Sequence, residues 1–258
     1  MKNKINIDPD FLKLVKGKKV ALIGPSPHLM NTDIGAHIDT YDLVCRVNNL
    51  IPIEEMRKDY GSRVDIYVDS FATPWIYETY AAINKNINFF EQLKFVVCPV
   101  IKSEHSETDY LQWDNNRTSP VVDNFNLINR FGLPFYWVGV QDYKSLYSRI
   151  GHEPNSGMLS AMLLLESQVE ELFVTGFSFY LGGNTKESVY CPGHLYPSFL
   201  QDNKRAWGVN SGHGYAANIA QINYFKSLCA EFGNTIKIDS HMEKILEFNH
   251  SNIHQLNK

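Results

Sequence analysis

Two short turns in this chain have the residue types needed to hold an anion. Gly24-Pro25-Ser26-Pro27 follows a short apolar run, Val20 to Ile23, and leads into a segment able to start a helix. Pro154-Asn155-Ser156-Gly157 opens an apolar stretch of helix length. Where a strand breaks into a Gly/Ser turn ahead of a helix, backbone N–H groups and the helix N-terminus converge, and glycine lets the chain approach a phosphate closely. Gly24, Ser26, Asn155, Ser156 and Gly157 are the candidate anion-binding residues. Asn48 adds an amide at the end of the next apolar step, and Arg46 is suited either to pairing with the anion or to a buried structural salt bridge. A base is also available: His213 stands between Gly212 and Gly214, just ahead of a predicted helix. An imidazole titrating near neutrality is suited to taking the proton of an attacking hydroxyl. His28, near the first turn, reads as a surface histidine or as a ligand contact.

Taken alone, the first turn is equally well an ordinary strand end of an α/β protein. It completes neither G-x-G-x-x-G nor the P-loop lysine pattern, so neither the dinucleotide nor the ATP fingerprint is met.

The elements that would carry these residues alternate between strand and helix. Short apolar or alternating runs predict strands at Val20–Ile23, Leu43–Cys45, Val64–Ser70, Phe95–Val100, Phe135–Val140 and Leu172–Phe177, with a last short one at Thr235–Ile238. Between them, helices are predicted around Glu54–Gly61, Tyr143–Ile150, Met158–Val169 and Ala217–Phe232, the third apolar on nearly all sides and hence buried. This alternation predicts an α/β, Rossmann-like domain spanning residues 1–258, with a mainly parallel sheet flanked by helices. Residues 179–212, rich in Gly and Pro, read as a mobile active-site segment. Asp65 and Asp69 share one face of the third strand, as solvated side chains or as a carboxylate near the site. Asp8-Pro9-Asp10 is formally a D-x-D, but it precedes the first strand and reads as a helix start.

Composition narrows the classes. The 258 residues carry a net charge of −4, with 44% hydrophobic and 20% charged side chains, ordinary values for a globular protein. Nothing in that balance points to nucleic acid, and an anionic ligand would need local positive charge. The N-terminal stretch lacks an apolar run long enough for a signal peptide or membrane anchor. Cys45, Cys98, Cys191 and Cys229 lack metal-ligand spacing, and the first two read as buried thiols, which suits a reducing cytoplasm.

The two turns, taken with the residues downstream of each, resemble the large and small sialylmotifs of animal-type sialyltransferases (glycosyltransferase family 29). In the large motif a strand, Gly-Asn-Ser-Gly and a later Asp-x-Val-x-Arg-x-Asn correspond to Gly24-Pro25-Ser26-Pro27 and Asp42 to Asn48. In the small motif Pro154 to Leu159 is followed by a strand ending in Gly176-Phe177. A His-Tyr motif and a lone histidine should come next, and Gly193-His194-Leu195-Tyr196 and Gly212-His213-Gly214-Tyr215 stand in that order. The likeness runs from Val20 to about Phe225 and leaves 73–149 without a counterpart. Val20 stands where the animal enzymes carry a disulfide cysteine, Pro197 where an acidic residue is frequent, and Asn218 in the stretch where a glutamate follows the histidine.

The resemblance implies a metal-independent glycosyltransferase with a variant GT-A-like fold and no cofactor. It would move sialic acid from its CMP-activated donor to a glycan acceptor hydroxyl. His213 would be the general base, with His194 as the second catalytic histidine and Tyr196 assisting at the donor phosphate. Gly24, Ser26, Arg46, Asn48, Asn155, Ser156 and Gly157 would bind CMP. Two alternatives stand beside this reading: a bacterial Kdo transferase using CMP-Kdo and retaining configuration through Asp65 or Asp69, and a non-catalytic nucleotide-binding protein. A glycolipid acceptor would bring the chain to the inner face of a membrane.

Overall fold

The computed structural model describes residues 5–48, 54–69, 91–99, 132–181 and 215–247. Their strands form one parallel sheet. β1 (Lys19–Ile23), β2 (Leu43–Val47), β3 (Ile66–Val68), β4 (Phe95–Pro99), β5 (Phe135–Val138), β6 (Glu171–Thr175) and β7 (Ile236–Ile238) lie in the order β5-β4-β3-β2-β1-β6-β7. Each neighbouring pair is parallel. The expected α/β architecture is thus present, and every described strand pair is parallel.

Both faces of the sheet are covered, which is why its strands read as unbroken apolar runs. Successive side chains point to opposite faces. Val20, Leu22, Cys45 and Val47 turn toward a larger core, and Ala21, Ile23 and Val44 toward a smaller one with Leu29, Ile38 and Tyr60. The larger core is closed by α1 (Pro9–Val15), α4 (Val140–Ile150), α5 (Ser156–Glu166), α6 (Tyr215–Phe232) and α7 (Ser240–Glu247), and the smaller by α2 (Gly35–Ile38) and α3 (Arg57–Tyr60). From Gly157 to Leu165, α5 is buried throughout, as its all-round apolar sequence requires. Asp8 caps α1, its Oδ1 accepting from the N–H groups of Asp10 and Phe11 at 3.0 and 2.9 Å. The formal D-x-D is therefore a helix start.

The elements differ from the sequence reading in three places. β3 stops short of Asp65 and Asp69, so these flank the strand instead of lying within it. Two helices are absent from that reading. α2 has only four residues, too few to show a period. α7 is announced chiefly by Asp239, whose Oδ1 accepts from Met242 N–H at 2.8 Å.

Candidate active site

Strands β2 to β5 step away on one side of β1, while β6 and β7 lie on the other. In a parallel α/β sheet such a reversal opens a crevice beyond the carboxyl ends of the two central strands, the usual seat of a ligand. Here it lies between β1 and β6. Glycines bring the two chains together at that point. A Cβ on Gly24 would sit 2.3 Å from the carbonyl oxygen of Gly176, and one on Gly176 would sit 2.2 Å from that of Gly24. Gly24 N–H donates to Thr175 O and Ser26 N–H to Gly176 O, both at 2.8 Å, so the pairing continues past the strand ends.

A cleft opens there. The turn after β1 contributes Pro25 and Ser26, the end of β2 contributes Val47 and Asn48, and the start of α5 contributes Asn155, Ser156 and Gly157. Beyond β6 the chain adds Gly176, Phe177, Ser178 and Tyr180. Two turns far apart in sequence thus face one space. Asn155 is the N-cap of α5, its Oδ1 accepting from Met158 N–H at 2.8 Å, while its own N–H donates to Gln221 Oε1 of α6 at 2.9 Å. This leaves the Asn155 side-chain amide as the donor not used by the cap. Gly157 is required by packing, since a Cβ there would come within 2.2 Å of the Phe177 ring. Asn48, Phe179 and Tyr180 adopt left-handed backbone at φ 50°, 48° and 61°. Such conformations are unfavourable for residues with a Cβ and concentrate where a site must be shaped.

Ser26 begins a chain of polar contacts running away from the cleft. Its Oγ lies 2.9 Å from His28 Nδ1, and His28 Nε2 lies 3.0 Å from Asp239 Oδ2. Thr175 donates its hydroxyl to the same carboxylate oxygen, and the His241 ring stacks on His28 with centroids 3.9 Å apart. Burial opposes ionisation of Asp239, but its bonds from His28, Thr175 and Met242 prevail and hold it down to about 2. Burial, reinforced by the charge of His28, lowers His241 to about 4.

The expected residues now fall into three groups. Ser26, Asn48, Asn155, Ser156 and Gly157 are brought together in the cleft, and Gly24 sits just beneath it, spacing the two strands. Arg46 stands apart. It occupies the opposite face of β2 from Val47, fully buried, with Nε donating to Arg63 O and Nη2 to Tyr60 O and Gly61 O. The strand's alternation sends it under α3, on the face of β2 that packs away from the cleft, where Nε and Nη2 bind these carbonyls. His194, Tyr196 and His213 lie outside the described residues, as does most of the segment 179–212.

Three further placements bear on the sequence reading. Asp65 is at the amino end of β3, accepting from Val44 N–H and paired with Arg63 and Lys94. That position is at the far end of the sheet from the cleft. Asp69 is at the carboxyl end of the same strand, buried, and accepts from the Tyr67 hydroxyl at 2.8 Å. His28 is no surface histidine, its side chain being only 11% exposed. Sequence reasoning missed Asp239 altogether. Its one local signal is the Asp-Ser pair after a strand, a helix-cap pattern.

The fold and cleft define a parallel α/β protein with an open cleft at the switch point of its sheet. Residues 8–108 match the model of glycosyltransferase family 29 (sialyltransferase), so the likeness read from the large motif is shown over that part of the chain. The matched span ends before the second turn at Pro154. No curated protein sequence matches the chain. Among solved structures, a mammalian sialyltransferase is similar at 17% identity and TM-score 0.51, over 91% of this chain and 73% of that one. This likeness is one of fold. A complex of a mammalian sialyltransferase with Gal-beta-1-3GalNAc-ortho-nitrophenol is similar at 16% identity and TM-score 0.48, over 91% and 74% of the two chains. The sialyltransferase CstII from Campylobacter jejuni, in complex with cytidine-5'-monophosphate, is similar at 14% identity and TM-score 0.49, over 86% and 80%. Among the described residues, no helix is long and apolar enough to cross a membrane.

Proposed function

We propose that this chain is a glycosyltransferase that moves sialic acid from its CMP-activated donor to the hydroxyl of a glycan acceptor. The observation that carries this reading is the convergence in one cleft of Ser26 and Asn48 from the first motif with Asn155, Ser156 and Gly157 from the second. Departure of CMP from the anomeric carbon adds negative charge to its phosphate. Preorganised N–H, amide and hydroxyl donors can stabilise that charge with no help from a metal. The side-chain amide of Asn155, the Ser156 hydroxyl and the N-terminus of α5 would provide them, and the Asn48 amide would hold base, ribose or phosphate.

His213 would take the proton of the acceptor hydroxyl. In sequence it stands two residues ahead of α6, and α6 is tied to the cleft by the bond from Asn155 N–H to Gln221. His194 and Tyr196 would act at the departing phosphate. The retaining alternative with CMP-Kdo would have to rest on Asp69, since Asp65 is engaged at the other end of the sheet.

Incubation with CMP-sialic acid and CMP-Kdo over a panel of glycan and glycolipid acceptors, read by mass spectrometry, tests the proposal. Transfer of sialic acid, insensitive to EDTA, is expected. Transfer of Kdo alone would move the donor assignment, and CMP binding without turnover of either donor would leave a nucleotide-binding protein.

A further inference from the structure

The chain from Ser26 through His28 to Asp239 has a property that the proposed transfer does not use. Asp239 is ionised, and its Oδ2 can only accept, so His28 must carry hydrogen on Nε2 to make the 3.0 Å contact. The state of Nδ1 then decides what Ser26 can do. When the ring is neutral, Nδ1 is an acceptor and the Ser26 hydroxyl gives it its single hydrogen across 2.9 Å. When the ring is charged, Nδ1–H donates to Ser26 Oγ, and the serine hydrogen is released to another partner. Ser26 lines the cleft, and an anion there can accept that hydrogen.

We propose that Ser26, His28 and Asp239 form a proton-coupled anion sensor, in which an anion binding in the cleft draws the Ser26 hydrogen to itself and His28 takes up a proton to replace it. The inference rests on the reading of the cleft as a phosphate site and adds a linkage between that site and pH. Ser26 touches the ligand, Asp239 positions the ring, and His28 acts on the ligand through Ser26. In the transfer reaction, the imidazolium so formed faces the phosphate through one hydroxyl as that phosphate gains charge.

The surroundings isolate His28 as the responsive group. Asp239, from the turn between β7 and α7, stays ionised above its value of about 2. His241, stacked on the ring from α7, stays neutral above its value of about 4, and Lys244 of the same helix contributes a fixed positive charge that acts on His241. Thr175, from the end of β6, does not titrate and fixes the carboxylate. The ring of His28, bridging Ser26 and Asp239, is therefore the member of this cluster that a ligand in the cleft reaches through a single hydrogen bond.

The probes are the methyl diester of cytidine 5′-monophosphate and inorganic sulfate, neither of which titrates near neutrality. Binding is measured by calorimetry in buffers of differing ionisation enthalpy, from pH 6 to 9. The wild-type chain should take up a fraction of a proton on binding, and affinity should fall toward tenfold per pH unit on the alkaline side. S26A, which leaves the His28–Asp239 pair in place, should bind more weakly with no uptake, and H28N should do the same. Absence of uptake in the wild type, or equal uptake in both variants, overturns the inference. Sulfate bound with uptake while the cytidine probe is not bound supports the sensor and counts against the CMP donor. Failure of both anions to bind overturns it.

Discussion

Gly24→Ala isolates the contact on which the cleft rests. The backbone of Gly24 is not left-handed, so alanine meets no conformational penalty there. Its Cβ, however, would lie 2.3 Å from Gly176 O and 2.8 Å from both Gly176 C and the Phe177 ring. A carbon and a carbonyl oxygen normally approach to about 3.3 Å, so the ends of β1 and β6 must part by about 1 Å. Backbone on both sides cannot give way as a flexible side chain would. Overpacking typically costs about 1–3 kcal/mol. The bonds Gly24 N–H to Thr175 O and Ser26 N–H to Gly176 O would be weakened, each worth about 0.5–1.5 kcal/mol. The expected total is about 2–6 kcal/mol, or a fall in Tm of about 2–4 °C for each kcal/mol in a chain of this size. Gly17→Ala provides the control: Gly17 has φ +68° but nothing within 4 Å of a Cβ, so only the left-handed penalty of about 1–2 kcal/mol applies. Urea denaturation of the two variants beside wild type decides the matter. If Gly24→Ala costs no more than Gly17→Ala, the close approach of β1 and β6 is not what holds the switch point together.

Four further outcomes are expected. Asn155→Ala should lose about 1 kcal/mol of stability with its cap as well as CMP affinity. Asn155→Asp, which keeps the cap but sets a charge beside the phosphate, should keep stability and lose affinity, and the pair is read by melting and calorimetry. Ser156→Ala should leave melting unchanged and weaken CMP binding by about 1.5–3 kcal/mol, the worth of one hydrogen bond to a charged group. His213→Ala should cut turnover by about 10²–10⁴-fold and spare CMP binding, abolishing the limb of the pH–rate profile that rises through neutrality; full turnover in this variant would dismiss the histidine as base. Folding stability should respond to acid through His241, whose native value of about 4 lies below the ordinary one. The unfolded chain then binds the proton first, so stability is lost as pH falls through the interval above about 4. His241→Phe, followed by denaturation at several pH values, should flatten that slope.

How much of this is legible in the sequence differs between fold and site. The strands that frame the switch point announce themselves, because burial on both faces makes each a continuous apolar run, as in Val20 to Ile23. The two turns are legible because their chemistry is local, resting on small residues at a strand end or helix start. Arg46 is not. Its strand position is plain, but which face Leu43 to Val47 turns toward the cleft depends on packing that the run itself does not encode. The partnership of His28 with Asp239 spans 211 positions, and no periodicity reports a contact of that range. Short helices such as α2 fall below the length at which a pattern exists.

The aromatic contact between Phe179 and Phe225, with centroids 6.0 Å apart, has a consequence in polymer terms. Phe179 lies where the chain leaves β6, and Phe225 belongs to α6, the helix through which it returns. Both rings are part of the larger core, so the spacing between these two points of the chain is fixed by packing and not by the length of what joins them. Lengthening such a connection costs entropy that grows only slowly with its length. Phe225→Ala, by contrast, removes core packing worth about 3–5 kcal/mol.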